Sequence, residues 1–391
     1  MIKLEKLIKE HCLNGVEFVL LGEVINYEQP TKYIVRSTDY CDDFETPVLT
    51  AGQTFILGYT DEQDGIYEAS KDNPVIIFDD FTTSFHFVDF TFKVKSSAMK
   101  MLTSKDSSIA LLRYLFYAMK CIKYEPGSHS RQWIEKYSTF KIPLPPAAVQ
   151  QEIVRILDKF LELEENLEAE LEARKKQYEY YRNELLTFNI NSDIMNEAEI
   201  RNQKSEIRNQ KSEIRNRRVR FLTLGEICKN IMSGKNINRS SNGNYPVYGS
   251  TGIIGHSISY EYDQLSLLVA RVGANAGFVH IAEGKYDVSD NTLIINTKDE
   301  YNMKFAYYQL TNLNLNNLAV GGGQPLITAG KLKNITVPVP SLEEQKKIVD
   351  ILDRFETLTN DLTNGLPAEI AARKKQYEYY RDKLLGFRKN L

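Results

Sequence analysis

Apolar residues along the chain follow two rhythms, and each rhythm occurs twice. Val149, Ile153, Ile156, Phe160, Leu163 and Leu167 step by four and three, which lays one stripe along a helix and matches a coiled-coil seam. Tyr178, Tyr181 and Leu185 carry the stripe further, and Ile348, Ile351, Phe355, Leu358 and Leu362 repeat it. The first copy predicts one unbroken helix over about residues 148–187. In the second, Asn364-Gly365-Leu366-Pro367 supplies a stop and a restart, predicting helices over about 342–362 and 367–386. Ser341 with Glu344 forms a capping box at its start.

Ahead of each helical stretch the period shortens. Val19–Val24 and Leu222–Ile227 open two segments of short β-rich runs between Gly, Asp and Asn turns. The first holds Pro47-Val48-Leu49, Val75–Phe78 and Phe85–Val88; the second holds Pro246-Val247-Tyr248, Leu267–Arg271 and Thr292–Ile295. Ile109–Lys120 and Lys304–Thr311 read as helices, and Ile2–His11 as a short amphipathic one. The fold class is α+β: two mixed α/β heads on one plan, separated by long helices.

A duplication underlies this pattern. Ala173-Arg174-Lys175-Lys176-Gln177-Tyr178-Glu179-Tyr180-Tyr181-Arg182 recurs unchanged as Ala372 to Arg381. Ile142-Pro143-Leu144-Pro145 answers Val337-Pro338-Val339-Pro340, and Gln151–Phe160 answers Lys346–Phe355. The heads between these segments barely match. The boundaries that follow are an N-terminal helix at 1–14, a head at 15–145, a helical region at 146–190, a polar linker at 191–218, a second head at 219–340 and a helical region at 341–391. A tyrosine stripe is more often core than docking site. Tyr180 and the basic cluster, however, lie off the stripe inside identical decapeptides, so Arg174, Lys175, Tyr180, Arg373, Lys374 and Tyr379 are candidate docking residues. Glu199–Ser205 recurs at Glu206–Ser212 and begins again at Glu213. A seven-residue unit keeps helical phase, but one Ile per unit is too little to seal a seam, leaving a polar helical extension or a solvated linker.

Composition narrows the partners. At 391 residues the chain holds two or three domains, and 42% hydrophobic with 26% charged residues is ordinary for a soluble protein. No apolar run approaches the ~18–20 residues of a membrane span, and Met1–Lys6 is too charged for a signal peptide. Cys12, Cys41, Cys121 and Cys228 are scattered, which suits a reducing cytoplasm and offers no zinc or other metal site. The net charge of −3 runs against a solitary DNA-binding protein. Residues 1–145 carry 16 basic and 20 acidic side chains, and 219–340 carry 10 and 8, so partner chains would have to supply much of any grip on phosphates.

No catalytic constellation emerges. Asn73-Pro74 is followed by Val75, Ser233-Gly234-Lys235 lacks the upstream glycine of a phosphate loop, and Gly273-Ala274-Asn275-Ala276-Gly277 misses dinucleotide spacing. Glu283-Gly284-Lys285 has no upstream Pro-Asp to complete a nuclease core. What remains are polar residues on turns, the kind that read base edges. In the first head these are Ser128, His129, Arg131 and Gln132 after Gly127; in the second, Ser250, Thr251, Arg271, Asn275, Gly322, Gly323 and Gln324. Taken singly, each is more readily explained as a solvated loop residue.

The proline tetrads, Gln151-Glu152-Ile153, Ser341-Leu342-Glu343-Glu344-Gln345, both Arg-Lys-Lys-Gln-Tyr-Glu-Tyr-Tyr-Arg copies, Tyr248-Gly249-Ser250-Thr251-Gly252 and Arg271-Val272-Gly273 together resemble the specificity subunit of a type I restriction–modification system. The resemblance covers nearly the whole chain. It implies a non-catalytic subunit with two target recognition domains, each reading one half of a bipartite, asymmetric site in double-stranded DNA. It implies that the helices pair as an antiparallel coiled coil and dock two modification subunits. Those bring S-adenosylmethionine, while restriction subunits bring ATP and Mg; this chain itself would hold no cofactor. The first copy departs from the pattern by lacking the Asn-Gly-Leu-Pro break. Were the heptapeptide array helical, each unit would add roughly 10 Å between the heads, about three base pairs of duplex. The rival reading is a repeat-built adaptor that binds protein or RNA through its heads.

Overall fold

Ala147–Leu186 forms one helix of 40 residues, and Leu342–Asn360 and Leu366–Leu385 form the broken pair. These observations come from a computed structural model, which describes residues 2–52, 54–127, 130–188, 219–237, 240, 242–320 and 325–389. The heptapeptide array lies outside the described residues. The Ser341–Glu344 capping box is present: the Ser341 hydroxyl accepts from the Glu344 backbone N–H at 3.3 Å, and the Glu344 carboxylate accepts from the Ser341 N–H at 3.1 Å. Gly365 fills the break because a side chain there would meet the Thr357 carbonyl. Among the described residues no helix is long and apolar enough to cross a membrane.

The chain divides into two compact units that do not follow the sequence repeats. Unit 1 is residues 1–168 with 369–391, and unit 2 is residues 169–368. Each unit therefore takes its decapeptide helix from the other repeat. In unit 1, Leu384 and Leu385 are buried in the core of the first head, with Tyr377 and Tyr380 packed against it. In unit 2, Leu186 is buried in the core of the second head beside Tyr178 and Leu185.

The scaffold helices run antiparallel within unit 1. Phe160 stacks on Tyr380 with centroids 5.4 Å apart, and Lys374 reaches Glu164 at 3.4 Å and Glu168 at 2.8 Å. Unit 2 repeats the stack with Phe355 on Tyr181 at 5.6 Å. The heptad reading of the stripe needs a correction at its ends. Leu157 and Leu352, off the stripe, are fully buried, while Leu163 and Leu362 are exposed. The first turns of each helix pack on their own head, so a face repeating every four residues, Val149, Ile153 and Leu157, displaces the narrower seam.

Both heads share one topology. In the first, a four-stranded antiparallel sheet runs in the order Ile25–Glu28, Met99–Ser104, Val75–Asp79, Phe85–Val88. A second sheet runs Ile56–Thr60, Thr46–Leu49, Lys93–Val94, with the last pair parallel. The second head matches with Cys228–Ser233, Thr292–Thr297, Ser266–Ala270 and Val279–Ala282. Its smaller sheet runs Gly252–Ser257, Tyr245–Gly249 and Lys285–Val288, again with one parallel pair, and adds Tyr262–Asp263 at the edge.

The proline tetrads close each head on its own beginning. Lys141–Leu144 pairs with Glu17–Leu20, and Thr336–Val339 with Arg220–Thr223, in two-stranded ladders where proline costs little. The opening runs end sooner than the pattern predicts. Leu21–Val24 and Leu224–Ile227 turn into single helical turns, because Glu23 and Glu226 accept hydrogen bonds from the Leu20 and Thr223 N–H groups. After each tetrad a fully buried glutamine fixes head to scaffold. The Gln150 amide donates to the Ile109 and Pro145 carbonyls and accepts from the Leu111 N–H. Gln345 does the same with the Glu300 and Pro340 carbonyls and the Asn302 N–H.

Candidate nucleic-acid interface

The turn residues singled out from the sequence fall at corresponding places in the two heads. The central strand of each large sheet ends at one position, Asp80 in the first head and Arg271 in the second. Its carbonyl accepts from the chain entering the closing segment: Gln132 N–H to Asp80 at 2.7 Å, Ile327 N–H to Arg271 at 2.9 Å. The loops bearing Gly127 and Gly322 thus spring from equivalent roots. Ser128, His129, Gly322, Gly323 and Gln324 lie outside the described residues.

In the first head the root is a buried ion pair. Asp80 lies 2.9 Å from the Lys100 ammonium, both side chains being essentially inaccessible, and Lys100 also donates to Gln29. Asp80 accepts the Trp133 N–H, which locks the short helix Gln132–Glu135. A lone buried charge would be very costly, so pair and loop stand or fall together. Gln132 is buried, contrary to its assignment as a base-reading candidate: its amide donates to Ser130 and accepts from the Tyr124 hydroxyl. Arg131 beside it is exposed.

In the second head the root carries the charge itself. Arg271 is half-buried; its Nη1 donates to the Ser233 hydroxyl at 3.2 Å, while its buried Nε has no partner. Asn275 is exposed on the same loop, which turns through Gly273 and Gly277 at positive φ. A side chain at Gly277 would strike the Asn316 backbone, so the glycine is required twice over. The Gly273 N–H donates to the Pro325 carbonyl at 3.0 Å, and Val272 and Val320 both bridge to Leu326. Arg271, Asn275 and both flanks of the Gly322–Gln324 loop are therefore brought together. Ser250 and Thr251 form the tip of a hairpin on the other sheet, with Gly252 beside the His280 ring. Among the described residues no hydrogen bond joins that tip to Arg271.

Sequence reasoning missed the supporting residues: Ser233 behind Arg271, and Lys100 and Asp80 behind Arg131. No local motif marks them, since each becomes relevant only through contacts between distant strands. His86 and His280 were missed too. They occupy the same place on the fourth strand and lie beside the Gly52 and Gly252 turns. Burial lowers the pKa of both, which favours neutral rings.

The docking candidates fall into two groups. Tyr180 and Tyr379 are 58% and 61% exposed, each edge-on to the following tyrosine, so identical residues present the same surface in both units. Arg174 and Arg373 also have matching surroundings, donating to Gln177 and Glu170 and to Gln376 and Glu369. The missing break in the first copy therefore leaves these local surfaces alike. Lys175 pairs with Glu172, whereas Lys374 is engaged by Glu164 and Glu168. No group of three or more metal-ligating side chains occurs among the described residues.

The chain matches the family model for the type I restriction modification DNA specificity domain twice, over residues 14–173 and 216–372. It is 41% identical to the specificity subunit of the type I restriction enzyme EcoR124I/EcoR124II from Escherichia coli, across 97% of each chain. It is also 32% identical to a putative type I restriction enzyme specificity subunit from Haemophilus influenzae, over 70% of this chain and 72% of that one. Among solved structures, a type I restriction–modification S subunit from M. genitalium superposes with a TM-score of 0.60 at 17% identity, covering 95% of this chain and 96% of that one, which shows a shared fold. With both repeats matched and a relative aligned end to end, this chain belongs to the family of type I restriction–modification specificity subunits.

Proposed function

We propose that this chain is the non-catalytic subunit that selects the DNA target of a type I restriction–modification complex in the cytoplasm. The first head reads one half of a bipartite, asymmetric site and the second head reads the other. The double match to a DNA specificity domain, one per head, carries this reading. Arg271 and Asn275 suit it chemically, since arginine pairs in two places with guanine and asparagine with adenine, each such pair discriminating by ~1–3 kcal/mol. The two exposed decapeptide surfaces dock two modification subunits. Those subunits bring S-adenosylmethionine and supply the phosphate grip that a chain of net charge −3 lacks. Restriction subunits add ATP- and Mg-dependent steps. The adaptor reading finds no support in the double match.

The test is selection from random duplexes by the purified chain with a modification subunit. A two-part motif with a fixed gap is expected, along with no methylation and no cutting by the chain alone. A single continuous motif, or methylation by the isolated chain, would overturn the proposal.

A further inference from the structure

The two units differ at one place where their scaffolds otherwise agree. Head helix Leu112–Lys120 presents Phe116 and Tyr117 to Asp158, and head helix Met303–Asn312 presents Tyr307 and Tyr308 to Asp353. In unit 1 the chain's own Arg113 occupies the space between helix and sheet. Its guanidinium lies 4.4 Å from the Phe87 ring centroid and 5.2 and 5.4 Å from those of Tyr117 and Phe116, and its Nε donates to Asp158 at 2.7 Å. Planar cation, aromatic walls and carboxylate satisfy one another there.

Unit 2 keeps the walls and lacks the planar cation. Lys304 stands in place of Arg113 and reaches Asp353 at 2.6 Å, at one side. A cavity of about 560 Å³ opens beside it, lined by Phe278, His280, Tyr307, Tyr308 and Glu356. Phe278 at its rim is 57% exposed. Glu356 replaces Leu161 at the matching scaffold position, and among the described residues no cation lies within salt-bridge distance of it. The Tyr308 hydroxyl lies 2.7 Å from both Asp353 Oδ1 and Glu356 Oε2. Its one proton can serve only one carboxylate, so the second faces a lone pair, which a cation would relieve. An adjoining cavity continues past Asp353 and Glu356 to Asp361. Carboxylates of this density repel nucleic-acid phosphates, so this is not a DNA-facing surface.

We propose that this pocket receives an arginine side chain from a protein partner, its guanidinium lying on Tyr307 and pairing with Glu356, as Arg113 does internally in unit 1. The inference rests on the reading that the chain assembles with modification subunits, and it assigns the arginine to the subunit docked on unit 2.

The test titrates the modification subunit of the same system into the full-length chain by calorimetry, with wild type, Glu356→Gln and the double variant Lys304→Arg, Glu356→Leu. The double variant rebuilds the unit 1 arrangement, so the chain's own arginine fills the space. Both variants should bind one modification subunit at least tenfold more weakly, at unchanged melting temperature. Wild-type affinity in either variant overturns the inference. Failure of wild type to bind any modification subunit is a separate result, which overturns the proposed function itself and this inference with it.

Discussion

Glu152 shows how one position can couple the scaffold to a head. Its side chain is almost inaccessible, yet its carboxylate meets Arg155 at 2.6 Å and Lys3 of the N-terminal helix at 3.1 Å. Hydrogen bonding from Arg155, and then from Lys3, holds its pKa at about 2, below the usual carboxylate range. A carboxylate with a lowered folded pKa stabilises fully above its unfolded value of ~4.3, and that stability is lost as pH falls towards 2. Both cations are largely exposed, so solvent screening reduces the contribution to on the order of 1 kcal/mol. Glu152→Gln should therefore melt lower than wild type at pH 7 and converge with it near pH 2, as followed by circular dichroism. A constant difference across that range would remove Glu152 from the account. Tyr180 and Tyr379 belong to the same scale. Each buries little and touches mainly the next tyrosine. Tyr180→Ala with Tyr379→Ala should leave melting almost unchanged and weaken assembly with modification subunits by about tenfold or more, the range for an interface tyrosine. Equal assembly at equal melting temperature would show these surfaces to be unused.

At the scale of elements, the decapeptide helices have changed places. The heptad stripe, the capping box and the Asn-Gly-Leu-Pro break were all legible in the sequence, because each depends on residues within a few turns of one another. The destination of each helix was not legible: identical decapeptides carry no information about which head they pack on. The structure puts Leu366–Leu385 with the first head, where Leu384 and Leu385 are buried and Tyr377 lies 6.4 Å from Tyr117. The Val16 N–H also donates to the Arg388 carbonyl at 2.9 Å. Truncation after Gly365 should therefore expose the first head, 350 residues away in sequence, and spare the second, which adjoins the cut. Hydrogen exchange by mass spectrometry would report this as lost protection in Leu112–Lys120 with Met303–Asn312 unchanged. The opposite pattern would refute the exchange.

For the whole molecule, the two heads share a strand order and differ in what stands at the end of the central strand, a buried Asp80–Lys100 pair in one and Arg271 in the other. Such a pair of readers, if each sees half of a site, needs a set distance between them. The heptapeptide array at Glu199–Ser212 lies in the connection between the first scaffold helix and the second head. We propose that its unit count sets the gap between half-sites. Deleting or adding one unit should change the gap by about three base pairs with the half-site sequences unaltered, as mapped from methylated sites. An unchanged gap in both variants would reduce the array to a tether.

The sequence by itself determined the duplication, the α+β class, the helix ends and the family, since these reside in local periodicity and in motifs read along the chain. It also supplied Arg271 and Asn275, because they sit on a turn beside glycines. Only the tertiary structure decided that Gln132 faces inward, that Gln150 and Gln345 tie head to scaffold, and that Leu157 and Leu352, off the heptad stripe, belong to the core. It alone placed Arg113 and Lys304 opposite matching carboxylates with different outcomes. Burial and pairing of a side chain depend on what another stretch, often more than forty residues away, brings to it. No pattern within one stretch encodes that partner.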